Sequence, residues 1–407
     1  MTSERDIVLL GLIEIIEKNQ YSHLIEKDIL DKYDYLGSNE KAFIKKCMEG
    51  TIEKLIPIDE VLNEYSKTPV NKMKPLIRTL LRMSVYQLLY MDRVPDSAVC
   101  NEAVKLATKH GFNSLKGYVN GVLRNIARNK KSLDIENKEE VPQWLIEHFN
   151  SSYGEEIASK ILDSFKRQSK VYIRARRSLK DTSMLTKVDG HENFYTVNKG
   201  IKVSDIPGYE EGDFIVQDVN GASVGRLSGI KEGDLVLDVC ASPGAKSISA
   251  CDLGGIVTSR DVSENKVARL LENARRCGIK NMTCEVFDAR EFDPSWENKA
   301  DVVIADLPCS GLGVIGRKSD IRFKQSKDDL DSLVELQKSI IDVVVRYVKE
   351  GGVLIYSTCT LNPKENEDQA RYIASRHGFI LEEEKQYIPG VDIGDGFYVA
   401  RLRKNNG

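Results

Sequence analysis

Val302-Val303-Ile304-Ala305-Asp306-Leu307-Pro308-Cys309-Ser310-Gly311 is the stretch on which the reading of the fold turns. Its first four residues form a short apolar run of the kind that makes a buried parallel strand. Pro308 then removes a backbone donor and Gly311 permits unusual dihedrals, so the chain must leave the sheet there. An acid and a thiol are thereby set at the carboxyl end of a strand, where ligands bind in open α/β sheets. Gly352-Val353-Leu354-Ile355-Tyr356-Ser357-Thr358-Cys359-Thr360 is a second strand ending in a cysteine. Two thiols and a carboxylate at the ends of consecutive strands predict an active site.

Working outward, Asp234 to Val239 is another apolar strand, and Cys240-Ala241-Ser242-Pro243-Gly244-Ala245-Lys246-Ser247 is the turn into a helix. Such a turn exposes backbone N–H groups at a helix N-terminus, which suits an anionic or carboxylate-bearing ligand. It matches neither a Walker A loop nor G-x-G-x-x-G. The next strand, Gly255 to Arg260, is followed by Asp261, about twenty residues past the loop and placed to accept both ribose hydroxyls of a nucleoside. Met282 to Phe287 leads to Asp288, placed to reach an adenine amino group. Acids after three strands, Asp261, Asp288 and Asp306, predict a nucleoside cofactor.

A chain of 407 residues is too long for one ordinary domain. No apolar run approaches the roughly 20 residues needed to span a bilayer, and the N-terminus lacks a signal-peptide pattern, so a cytoplasmic protein with no membrane partner is expected. The eight cysteines include no C-x-x-C pair, which argues against a structural zinc site and a disulfide framework. No metal site is expected, and Cys47, Cys100, Cys251, Cys277 and Cys284 read as ordinary buried thiols.

Net charge, −3, does not by itself suggest nucleic acid, but its distribution does. Residues 1 to 131 read as all helix, over Asp6 to Lys18, Lys41 to Ile56, Asn71 to Met91, Pro95 to Gly111 and Ser114 to Arg128. Basic residues dominate this region from Lys67 onward. Asn129 to Glu140 is a polar linker. Residues 132 to 221 form a middle unit of two helices and short strands, and 222 to 407 hold the strand–helix alternation. Phe165 to Lys180 carries seven basic residues and no acid, with Phe165 and Tyr172 interleaved. Phosphate contacts and base stacking would use such a run, and a basic edge strand that discourages aggregation is the competing explanation.

The cofactor loop, Asp306-Leu307-Pro308-Cys309 and Ser357-Thr358-Cys359-Thr360 together resemble the RNA cytosine-C5 methyltransferases. Residues 1–131, most clearly Tyr118-Val119-Asn120-Gly121-Val122-Leu123-Arg124-Asn125-Ile126, resemble a NusB-like RNA-binding domain. The resemblance implies a multidomain chain: an all-α NusB-like domain, a small α+β domain and a Rossmann-like class I methyltransferase domain. It also implies S-adenosylmethionine as cofactor, 16S ribosomal RNA as partner and a monomeric chain. Carried over by position, Cys240, Ala241, Ser242, Pro243, Gly244, Ala245, Lys246, Asp261, Asp288 and Asp306 would contact the cofactor. Family loops usually carry two glycines where Gly244-Ala245 stands, and alanine where Leu307 stands.

Cytosine C5 is a poor nucleophile, and a thiolate adding to C6 converts the ring into an enamine whose C5 can attack a methyl sulfonium. Asp306 is placed to stabilise the adduct at N3. The second half, loss of the C5 proton and expulsion of the thiol, calls for another group. Both cysteines follow strands, so the residues alone do not order them; by family position Cys359 is the nucleophile and Cys309 the helper. Arg174, Arg176 and Arg177 in the basic run, with Arg317, Lys318 and Arg322 after the first cysteine, are the expected RNA contacts. A non-catalytic RNA-binding scaffold is the competing function, against which the intact pair of thiols argues.

Overall fold

The computed structural model describes residues 3–135, 138, 140–167 and 169–406. The chain divides into two compact units, Met1–Ile146 with Lys318–Lys324, and Glu147–Arg317 with Gln325–Gly407. The middle segment expected over residues 132–221 is therefore shared between them. Residues 136, 137 and 139 of the expected linker lie outside the described residues. No helix among the described residues is long and apolar enough to cross a membrane.

The first unit is helical: α1 (Glu4–Leu12), α2 (Ser22–Lys32), α3 (Ser38–Glu53), α4 (Leu55–Tyr65), α5 (Pro75–Tyr90), α6 (Asp96–Lys109) and α7 (Lys116–Asn129). Pro75 opens α5 at a position where its missing N–H has no helical partner to lose. α5 buries Ile77, Leu80, Leu81, Val85 and Leu88 against α1, α3, α4, α6 and α7. In α7 the buried residues Val119, Val122, Leu123 and Ile126 form one stripe at helical spacing. α2 packs only the half-buried Ile25 and Ile29 against this core, a stripe too short and too charged around it to stand out in the sequence.

α8 (Gln143–Tyr153) crosses the boundary after Ile146, and the second unit continues with α9 (Glu155–Phe165), followed by β1 (Tyr172–Ala175), β2 (Leu185–Lys187), β3 (Phe194–Val197) and β4 (Phe214–Val216). These strands form an antiparallel sheet in the order β2-β3-β1-β4. Then come α10 (Ser223–Ser228), β5 (Leu235–Asp238), α11 (Ala245–Asp252), β6 (Ile256–Asp261), α12 (Glu264–Arg276), β7 (Met282–Val286) and β8 (Ala300–Asp306). A one-turn helix, α13 (Ile321–Lys324), falls in the segment that belongs to the first unit. α14 (Lys327–Val344), β9 (Val348–Thr358), α15 (Glu367–His377), β10 (Phe379–Tyr387) and β11 (Phe397–Lys404) complete the chain.

The large sheet runs β10-β11-β9-β8-β5-β6-β7. β9, β8, β5, β6 and β7 are parallel, while β11 and β10 are antiparallel additions. The chain moves outward from β5 to β7 and returns at β8 beside β5, a topological switch point that opens a crevice at the carboxyl ends. The unbroken apolar runs of β8 and β9 follow from burial on both faces. Val303, Ala305, Leu354 and Tyr356 enter one core, and Val302, Ile304, Val353 and Ile355 enter the other.

The sequence Asp395 to Leu402 reads as a turn and a last alternating strand, which predicts an antiparallel edge that closes the sheet. The strand is antiparallel, but it lies between β9 and β10, and β10 forms the edge. The exposed Glu382-Glu383-Glu384-Lys385 run gives β10 no hydrophobic alternation to detect, and it suits an edge that must not pair with other chains.

The candidate active site

Gly244, with φ 111°, is the residue before α11, a dihedral that side-chain-bearing residues avoid. The loop ahead of it is tied to the end of β6. Ser242 N–H donates to Asp261 Oδ2 at 3.0 Å, Val262 N–H donates to Oδ1 at 2.8 Å, and Lys266 Nζ lies 2.9 Å from Oδ1. Each carboxylate oxygen has further acceptor capacity for a hydroxyl. Asp288 is paired with the exposed Arg290, whose hydrogen bonds hold its carboxyl below the usual value. Asp261, Asp288, Asp306, Cys309 and Cys359 all line one cavity of about 470 Å³, together with Cys240 and Ser242. Ala241, Pro243, Gly244 and Ala245 shape the loop behind this wall. Phe287, Leu307 and Ile340 supply an apolar surface for a base. This donor set, two carboxylates spaced along an apolar wall, fits the nucleoside part of S-adenosylmethionine.

Beneath the loop, Asp238 is fully buried at the end of β5. Ser247 Oγ donates to its Oδ2 at 2.6 Å, and Ser259 Oγ donates to Ser247 Oγ at 2.9 Å. Burial, with the charge of Asp306 nearby, pushes its carboxyl up to about 7. Sequence reasoning leaves Asp238 inside the strand because Val239 continues the apolar run past it, and only the fold brings Ser247 to it.

On the catalytic side, Cys309 Sγ and Cys359 Sγ are 3.4 Å apart, and neither is in a disulfide. Asp306 Oδ2 accepts from Lys246 Nζ at 2.6 Å and Oδ1 from Ser357 Oγ at 2.8 Å. Burial alone would lower the Lys246 ammonium, but Asp306 outweighs it and holds the ammonium up. The Phe397 ring lies 5.1 Å from Lys246 Nζ. The hydrogen bond with Cys359, then burial, then the charges of Cys359, Glu365 and Asp306 push the Cys309 thiol well above its ordinary value.

Glu365 was absent from the expected site and sits at its foundation. It is completely buried, and it accepts from Ser310 N at 2.9 Å, Ser310 Oγ at 2.5 Å, Asn362 Nδ2 at 3.0 Å and Gln337 Nε2 at 3.0 Å. Ser310 Oγ also lies 2.6 Å from Thr360 Oγ1. Beyond it, Gly313 N–H donates to Cys359 O at 3.1 Å, and Gly396 N–H donates to Gly313 O at 2.8 Å. A Cβ on Gly313 would stand 2.4 Å from Gly396 O, so this close approach requires glycine.

The basic residues divide differently from expectation. Arg174 Nη2 binds Ser249 Oγ at 3.0 Å and Asp252 Oδ2 at 2.9 Å. Arg176 binds Asp252 through Nη2 at 2.7 Å and the carbonyls of Gly212 and Cys277 through Nη1 at 2.8 Å each, with 8% of its side chain exposed. Both clamp the small sheet to α11. Arg177 remains 60% exposed beside Asp213. Arg317 pairs with Asp395. Lys318 is exposed in the first unit. Arg322 is 1% exposed within the first unit, and its Nη1 donates to Glu140 O at 3.1 Å. A basic run shows its charges but not the acids that neutralise them from elsewhere in the chain.

Comparison with known proteins agrees with this geometry. Residues 227–403 match the family model described as 16S rRNA methyltransferase RsmB/F, and residues 2–128 match the NusB family. A Bacillus subtilis (strain 168) protein named "Probable ribosomal RNA small subunit methyltransferase B" is 32% identical, with 99% of each chain covered. Ribosomal RNA small subunit methyltransferase B of Escherichia coli O1:K1 / APEC is 28% identical, with 98% of each chain covered. Among solved structures, PH0851 superposes with a TM-score of 0.83 at 24% identity, covering 99% of this chain and 98% of that one. NSun6 from Pyrococcus horikoshii, solved with SFG, gives 0.58 at 21% identity over 65% of this chain and 98% of that one, a likeness of fold. A strand-end cavity lined by three acids and two thiols, and a relative above 30% identity along the whole chain, lead to one conclusion: the chain belongs to the 16S rRNA methyltransferase RsmB/F family, S-adenosylmethionine-dependent enzymes, and carries a NusB-family N-terminal unit.

Proposed function

We propose that the chain methylates C5 of a cytidine in 16S ribosomal RNA through a covalent bond between Cys359 and C6 of the base. The observation that carries this reading is the 3.4 Å separation of two sulfurs in the wall of the cavity that also holds Asp261 and Asp288. When bound, S-adenosylmethionine supplies an electrophilic methyl group on its sulfonium.

Cys359, as thiolate, adds to C6 and drives electron density toward C5, which takes the methyl group. The Lys246 ammonium, held by Asp306, supplies positive charge beside the ring as density builds on N3 and O2. In the second half the C5 proton leaves, the C5=C6 double bond re-forms and the C6–S bond breaks. Cys309 gives its proton to the departing Cys359 sulfur and, left as thiolate, takes up the C5 proton, so it ends as it began and protons balance. The base reaches such a cavity only when unpaired or flipped from a helix.

The RNA flanking the target would lie in a second groove of the same unit, about 500 Å³, whose wall includes Gly313 and Gly316. Arg167, Lys170 and Lys187 on its rim are exposed, and none forms an ion pair among the described residues. Tyr172 also lines it and offers an aromatic face. Gly313 links the groove to the nucleophile through its bond to Cys359 O. Incubation with tritiated S-adenosylmethionine and unmodified 16S ribosomal RNA, followed by bisulfite sequencing, tests the reading. A single new protected cytidine is expected; label on another base or atom would refute it.

A further inference from the structure

We propose that Glu365 is a positioning residue for the elimination half of the reaction, fixing the loop that carries Cys309 against the strand end that carries Cys359. The proposal rests on the covalent route above. The two sulfurs are held in different ways. Cys359 follows Thr358 at the end of β9, where Ser357 is paired with Asp306 on one side and Thr358 with Tyr398 on the other. Its position is set by the sheet.

Cys309 has no such support. β8 ends at Asp306, and Pro308 has no N–H to offer a ladder. What holds the loop is one residue away, where both the N–H and the hydroxyl of Ser310 donate to Glu365. Gln337 Nε2 bridges the Pro308 carbonyl, at 2.9 Å, to the same carboxylate. Asn362, three residues past Cys359, donates from the other side. Glu365 is therefore the joint between the two cysteine loops, and its fully buried carboxylate is satisfied by four donors. Loosening it frees Cys309 while β9 still presents Cys359. Its charge also favours the protonated form of Cys309.

Glu365→Gln keeps the volume but sets an amide against converging donors, so at least one donor pair loses its acceptor. With unmodified 16S ribosomal RNA and S-adenosylmethionine, this variant is expected to turn over at least tenfold more slowly. A methylated protein–RNA adduct should accumulate on a denaturing gel, as in Cys309→Ala. Affinity for S-adenosylmethionine should stay within twofold of wild type, which a general structural lesion would not allow. Ser310→Ala removes the hydroxyl donor alone and should give the same adduct in smaller yield; it decides the matter if Glu365→Gln does not fold. Turnover without adduct in the folded variants, or loss of both adduct and cofactor binding, overturns the proposal. If Cys309→Ala traps RNA and neither of these variants does, Glu365 fails alone. If Cys309→Ala traps none, the assignment of Cys309 to the elimination half fails and the proposal goes with it.

Discussion

Arg176 reaches across seventy-six positions to Asp252 at the end of α11, and in doing so joins the four-stranded sheet to the methyltransferase sheet. The same guanidinium satisfies the carbonyls of Gly212 and Cys277. Arg176→Ala leaves two carbonyls and a carboxylate without this donor, which should cost about 2–3 kcal/mol of stability. Urea unfolding should show a lower midpoint, while the salt dependence of RNA binding stays as in wild type. An unchanged midpoint with a flatter salt slope would return Arg176 to the RNA surface.

Replacing Arg167, Lys170 and Lys187 together by alanine should have the opposite signature. Each phosphate left without its cation lowers the magnitude of the slope of log K against log salt by about 0.7 for single-stranded RNA. A fall of roughly 2 is expected if all three side chains neutralise phosphates, with the unfolding midpoint preserved. An unchanged slope would clear this groove of RNA.

Asp261→Ala should weaken S-adenosylmethionine binding at least tenfold, about 1.4 kcal/mol. The carboxylate both offers acceptors to the nucleoside and anchors the loop through Ser242 N. Calorimetry on the folded variant checks this, and unchanged affinity would remove Asp261 from the site.

These results bear on what the chain makes legible before folding. Asp261, Asp288 and Asp306 could be read because each follows an apolar run, so its place at a strand end follows from the run. Cys309 and Cys359 could be read for the same reason, though not ordered. Glu365 could not: in sequence it is one acid in a polar turn, and only folding brings Ser310, Asn362 and Gln337 around it. Arg174 and Arg176 read as free charges for the converse reason, since Asp252, the acid that neutralises them, lies far along the chain. β10 escaped because a charged edge strand has no hydrophobic period.

Asp238 gives the fold a pH dependence of definite sign. Its folded-state value, about 7, is raised above the unfolded value near 3.9, so the folded chain binds the extra proton between them. Its contribution to stability is complete below about pH 3.9 and is lost as pH rises through about 7. Asp238→Asn, which mimics the protonated acid, should remove this loss. The variant's thermal midpoint relative to wild type should rise between pH 5 and pH 8. A constant difference would show that Asp238 does not titrate in that window.

The central claim is the division of labour between the two thiols, and denaturing electrophoresis with unmodified 16S ribosomal RNA tests it most directly. Cys359→Ala removes the sulfur that attacks C6, so no covalent complex should form. Cys309→Ala should still attack and methylate, then stall as a protein–RNA adduct that survives denaturation. Neither variant should sustain turnover. An adduct with Cys359→Ala and none with Cys309→Ala would reverse the roles; turnover by both variants without any adduct would contradict the covalent mechanism itself.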